Sequence, residues 1–146
     1  FFNGIKNSKA PSFIKKILLL FGVLNQKIIE ILTGISIPLT CEIGTSFYIG
    51  HFGGIILNAN TVIGNNCNIS HGVTIGVSGL ENKRGVPVIG NNVYIAANTV
   101  LAGNIIIGDN VLIGACSFVN KNVESKSVML GVPAIKISDK SSKGYI

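Results

Sequence analysis

Tryptophan is absent from these 146 residues, methionine occurs once, histidine twice and cysteine three times. Each scarcity closes off something. Cys41, Cys67 and Cys116 are odd in number and widely spaced, with no CxxC pair and no histidine-rich companion. They form neither a disulfide framework nor a zinc site, and no metal is expected. As small apolar fillers they fit a reducing compartment, so the chain reads as cytoplasmic. Charge is scarce too: charged residues make up 12% of a chain that is 47% hydrophobic, so asparagine, serine and threonine are left to cover the surface. The net charge is +6, but the basic residues gather toward the two ends, with only Lys83 and Arg84 in the long middle. No basic stripe interleaved with aromatics results, which excludes a nucleic-acid partner. Long apolar runs are also missing. The longest, 17–24, falls well short of the roughly 20 residues that a bilayer span requires, and no signal-peptide cleavage site accompanies it.

What is present divides the chain into two unlike parts and a tail. Residues 1–40 read as an N-terminal helical segment: Pro11 and Ser12 start a helix, a dense apolar pattern runs through Leu32, and Gly34 stands where a left-handed cap ends it. The helix is apolar almost all round and therefore needs cover, either from its own chain or from a neighbouring subunit. Residues 41–137 are periodic, and 138–146 form a C-terminal tail.

The repeat is a branched aliphatic residue, a small residue and four mostly polar ones. It begins at Ile43-Gly44 and recurs at Ile49, Leu57, Ile63, Ile69 and Ile75, then resumes at Ile89, Ile95, Leu101, Ile107, Ile113 and Val119. Every step is six residues except those from Ile49 to Leu57 and from Ile75 to Ile89. A period of six suits a short strand plus a turn, and three such units close one triangular coil. The expected fold is an all-β solenoid, a left-handed parallel β-helix preceded by an α-helix. The aliphatics point inward in three stacked columns, the small residue turns each corner, and asparagine pairs supply left-handed turn geometry.

Chemistry must come from whatever breaks the period. Both histidines do: His51 lies two residues after Ile49, and His71 two after Ile69. The register stacks them at one corner, about one strand spacing apart. His51 also opens a short insertion with Gly53 and Gly54. Histidine is the usual base for deprotonating an alcohol. The longer insertion, 77–87, carries Lys83 and Arg84, which suit phosphate or acidic groups on a substrate.

IGHFGGIILN (49–58), ISHGVTIG (69–76), VPVIGNNVYIAANTVLAG (86–103) and VNKNVESKSVMLGVPA (119–134) together resemble the serine acetyltransferase branch of the hexapeptide acyltransferases, especially relatives that O-acetylate sugars of bacterial surface polysaccharides. The resemblance covers residues 35–137. It implies acetyl-CoA as donor and a homotrimer with clefts between adjacent prisms. It also implies His51 as the catalytic histidine with His71 beside it, and Gly76, Ala97, Ala115 and Lys121 along the path of CoA. A backbone N–H near Gly76 or Ala97 is expected to hold the oxyanion. The sequence departs from the family where Gly50 replaces the aspartate beside the histidine and Ser36 replaces a second aspartate. Arg84-Gly85-Val86-Pro87 stands where the family has Arg-His-Pro. Free serine needs a carboxylate for its ammonium and a base for its carboxylate. These losses therefore favour a sugar hydroxyl as acceptor, with serine O-acetylation and a non-catalytic trimeric scaffold as the alternatives. Peripheral membrane contact by the basic, apolar helix stays open.

Overall fold

The computed structural model describes residue 9, residues 11–81 and residues 84–146. Helix α1 spans Ser12–Thr33, starts just after Pro11 and stops at Gly34, whose φ of 67° is left-handed and whose N–H reaches back to the Glu30 carbonyl at 2.9 Å. A side chain at Gly34 would also crowd the backbone of Gly53 and Gly54, so this glycine both ends the helix and seats it on the turn that follows His51.

The solenoid winds in three sheets, left-handed and parallel. The first holds β1 (Ile35–Ser36), β4 (Ile55–Leu57), β7 (Thr74–Gly76), β10 (Val100–Ala102) and β13 (Phe118–Val119). The second holds β2 (Glu42–Ile43), β5 (Val62–Ile63), β8 (Val88–Ile89) and β11 (Ile106–Ile107). The third holds β3 (Tyr48–Ile49), β6 (Asn68–Ile69), β9 (Tyr94–Ile95), β12 (Leu112–Ile113), β14 (Val128–Gly131) and β15 (Ala134–Ser138). Pairing is parallel except for the β14–β15 hairpin and a single Ser78–Gly85 bridge at the base of the 77–87 loop.

Register follows the period. Ile63, Ile89 and Ile107 stack in one column, Ile69, Ile95 and Ile113 in another, and Leu57, Ile75, Leu101 and Val119 in the third, all buried. Each such side chain withdrawn from water is worth about 1.5–3 kcal/mol. Ile43 and Ile49 were expected to be equally buried but are only partly so, because they lie in the first coils with little stacked above them. The solenoid also reaches beyond the repeats visible in the sequence. Ile35 and Ser36 already pair with Ile55 and Ile56, and Val128 and Met129 continue the third sheet below Leu112 and Ile113.

The glycines after the aliphatics do a different job from the one expected. A Cβ at Gly64 would lie 2.6 Å from the Gly90 carbonyl oxygen, and one at Gly108 would lie 2.6 Å from the Ser125 nitrogen. These positions are small because the next coil passes against them. The corner itself is turned two residues later, at Ser46, Asn66, Asn92, Asn110 and Lys126, all with positive φ. Between glycine and corner runs a ladder parallel to the prism axis. Asn65 Oδ1 accepts from the Thr45 N–H, Asn91 Oδ1 from Asn65, Asp109 Oδ1 from Asn91, and Ser125 Oγ from Asp109, at 2.6 to 3.0 Å. Polar side chains there satisfy turn N–H groups that the strands leave free.

Helix α1 does not bury itself in the solenoid. Gly22 is its one buried residue, and Phe13, Ile17, Leu20, Leu24, Ile28 and Ile31, spaced along a single face, are exposed. Its more sheltered side is the polar one. No helix among the described residues is long and apolar enough to cross a membrane.

Candidate active site

The edge where the chain passes from the third sheet to the first carries the histidines. Ile49 pairs with Ile69, so His51 and His71, each two residues on, fall one above the other. Their rings are 6.1 Å between centroids, edge to face at 70°. Backbone bonds lock the layers together: the Gly72 N–H donates to the Gly53 carbonyl and the Asn98 N–H to the His71 carbonyl, each at 3.0 Å. Both imidazoles are exposed, as groups that meet a substrate must be.

The same edge continues through Ala97 and Ala115, because Ile69 pairs with Ile95 and Ile95 with Ile113. From His51 to Ala115 is three strand spacings, roughly 14 Å along the axis. The edge thus carries two imidazoles at one end and small side chains toward the other.

Gly76, Lys121 and Arg84 are elsewhere. Gly76 ends β7 opposite Ala102, and Lys121 lies two residues past Val119, so both belong to the next edge, where the chain leaves the first sheet. The 77–87 loop springs from that edge, clasped by reciprocal Ser78 and Gly85 backbone bonds of 3.0 and 3.1 Å, and Arg84 is exposed on it. Lys83 lies outside the described residues. Within one chain the first sheet separates these groups from the histidines. Of the two residues expected near the oxyanion, Ala97 shares the histidines' edge and Gly76 does not.

Beside His51 opens a cavity of about 270 Å³, lined by Tyr48, Gly50, His51, Asn68, Ile69, Ser70 and Tyr94. Sequence reasoning missed Tyr48, Asn68 and Tyr94 as candidates, although the period contains them. Each immediately precedes an inward isoleucine, so the three form one outward column next to the histidines.

Ser36, where the resemblance expects an aspartate, is not far from a carboxylate. Lys27 and then Ser36 hydrogen-bond the Glu30 carboxyl and hold it below the usual carboxylate range, with Lys27 Nζ 2.8 Å from Glu30 Oε2. Counting only the aligned position overlooks this acid, which arrives from the helix. The cysteines take no part. Burial pushes the Cys41 and Cys67 thiols up, and Cys116 is exposed.

The profile of the family described as bacterial transferase hexapeptide (six repeats) matches residues 87–121. A serine acetyltransferase of Staphylococcus aureus strain Mu50 is 41% identical over 108 residues, which are 74% of this chain and 51% of that protein. Among solved structures, the Neisseria gonorrhoeae serine acetyltransferase in complex with serine superposes with a TM-score of 0.71 at 35% identity, over 77% of this chain and 46% of that one. The Brucella abortus S19 serine acetyltransferase in complex with coenzyme A gives 0.76 at 30% identity, over 81% and 47%. The chain thus spans about half the length of the relatives it matches. These likenesses overturn the expectation of a polysaccharide sugar as acceptor, since the similar proteins are serine acetyltransferases in sequence and in structure. The physical argument for a sugar rested on two missing aspartates and a missing loop histidine.

Proposed function

This chain belongs to the hexapeptide-repeat acyltransferases, in their serine acetyltransferase-like branch, and on that premise we propose that it transfers the acetyl group of acetyl-CoA to the hydroxyl of serine. The observation that carries the reading is the pair of stacked imidazoles at the head of a track of small residues. A base beside a line of small side chains lets an alcohol and an extended thioester meet.

His51 accepts the hydroxyl proton as the serine oxygen attacks the thioester carbonyl. The tetrahedral oxyanion is met by a backbone N–H near Ala97. Collapse breaks the carbon–sulfur bond, the acetyl group stays on the serine oxygen, and the proton held by His51 passes to the departing thiolate to give CoA. No covalent enzyme intermediate is required. His71, edge to face with His51, orients its neighbour. The pantetheine arm follows Ala97 and Ala115.

Gly76, Lys121 and the exposed Arg84 sit on another edge of the prism, so they join the cleft only if it lies between copies. That supports a homotrimer in which one copy brings the histidines and its neighbour brings the basic loop, with Lys83 and Arg84 meeting CoA phosphates or the acceptor carboxylate. The test is release of free CoA from acetyl-CoA by the purified protein. Serine-dependent release that His51→Ala removes is expected, and release indifferent to serine would refute the assignment.

A further inference from the structure

The tail, 139–146, crosses back over the third sheet. The Ser142 side chain is buried, with its hydroxyl donating to the Asn92 carbonyl at 2.6 Å and its N–H donating to the Asn110 carbonyl at 3.2 Å. That anchor delivers Tyr145 onto two of the residues lining the cavity beside His51. The Tyr145 ring lies 5.2 Å from the Tyr94 ring, tilted at 47°, and the Tyr145 carbonyl accepts a hydrogen bond of 3.1 Å from Asn68 Nδ2. The Asn68 amide is oriented by this bond. With its nitrogen turned to the tail, its Oδ1 remains as an acceptor.

We propose that the cavity beside His51 is the acceptor site, that Asn68 and Tyr94 contact the acceptor in it, and that Tyr145 is a positioning residue that fixes both from outside. This rests on the acyl-transfer reading above and adds to it how the acceptor is held. The cavity wall offers neutral hydrogen-bonding groups and aromatic rings, Tyr48, Asn68, Ser70 and Tyr94, around one imidazole. A small zwitterion bound there is gripped by amide, hydroxyl and ring faces, with the carboxylate contact left to groups outside this wall. Such contacts are short-ranged and lose strength quickly when a wall residue shifts, so the element that immobilises the wall controls acceptor affinity. The donor track on the alanine edge is not touched by the tail.

Steady-state kinetics with serine varied at saturating acetyl-CoA, and the converse, separate the alternatives. Tyr145→Ala is expected to raise the KM for serine about three- to tenfold, the range that loss of one aromatic contact supports, with kcat and the KM for acetyl-CoA unchanged. Tyr145→Phe keeps the ring and the backbone carbonyl and is expected to match the wild type. In a Tyr94→Ala background, Tyr145→Ala is expected to add little, because the two changes break one contact. The proposal is overturned if Tyr145→Ala leaves the serine KM within twofold of wild type, if both KM values rise together, or if Tyr145→Phe is as impaired as Tyr145→Ala. A wild-type protein that releases no CoA in response to serine overturns the serine assignment itself, and with it this reading of the cavity as a serine site. That result is distinct from an active wild type with an indifferent tail.

Discussion

At the scale of single residues, two histidines of the same type and similar exposure are given unequal roles, and the difference is their setting. His51 borders the cavity and opens the inserted turn with Gly53 and Gly54, where a substrate can approach the backbone. His71 sits one layer along, its carbonyl tied to Asn98. His51→Ala is therefore expected to lower kcat by about 10²- to 10⁴-fold, the usual loss on removing a general base, while circular dichroism and CoA binding stay near wild type. His71→Ala should cost markedly less. Full activity in His51→Ala together with inactivity in His71→Ala would move the base one coil along the prism. Both histidines and their shared edge are legible in the sequence, because the residue count from each isoleucine is the same. Tyr48, Asn68 and Tyr94 are not legible as site residues, since nothing in the repeat distinguishes a cavity wall from any other outward column.

At the scale of elements, the prism is held by columns of aliphatics inside and a polar ladder along one edge, and the glycines between them mark how closely coils approach. A Cβ at Gly64 would strike backbone at 2.6 Å, whereas one at Gly76 meets nothing within 4 Å. Neither residue has a positive φ, so the contrast is one of space alone. Gly64→Ala is expected to destabilise the fold by about 2 kcal/mol and to lower the Tm by several degrees, with Gly76→Ala within experimental error of wild type. Calorimetry or far-ultraviolet melts measure this directly, and equal melting temperatures for the two variants would contradict the close-packing account. The small residue was visible in the sequence at each repeat, but its reason was not. Whether a glycine is needed for turn geometry or for clearance depends on φ and on the neighbouring coil, and spacing determines neither.

At the scale of the whole molecule, the described residues of one chain leave a broad apolar surface exposed. The exposed face of α1 adds to Phe52, Ile56, Ile106, Val132 and Ile135 on the solenoid, all exposed. Some of this surface closes against copies if the protein is the homotrimer proposed for its cleft. Light scattering at micromolar concentration is expected to give three times the mass of the chain, and mixing His51→Ala chains with chains altered at Arg84 should restore part of the lost activity by uniting intact edges from different copies. A monomer mass, or no recovery on mixing, would argue against a shared cleft.

The sequence by itself determined the six-residue period, and with it the solenoid, the three inward columns, and the placing of His51 and His71 on one edge. All of these follow from counting along a chain whose coils repeat, so that separation in sequence maps directly onto position on the prism. Only the tertiary structure decided that a cavity walled by Tyr48, Asn68 and Tyr94 opens beside that edge, and that the apolar face of the helix turns outward. It also decided the return of Tyr145 to Asn68, 77 residues back along the chain. The physical reason is that these contacts join segments outside the repeat to segments within it. Their meeting depends on the path the chain takes at the helix turn and after the last coil, and no periodicity encodes that path.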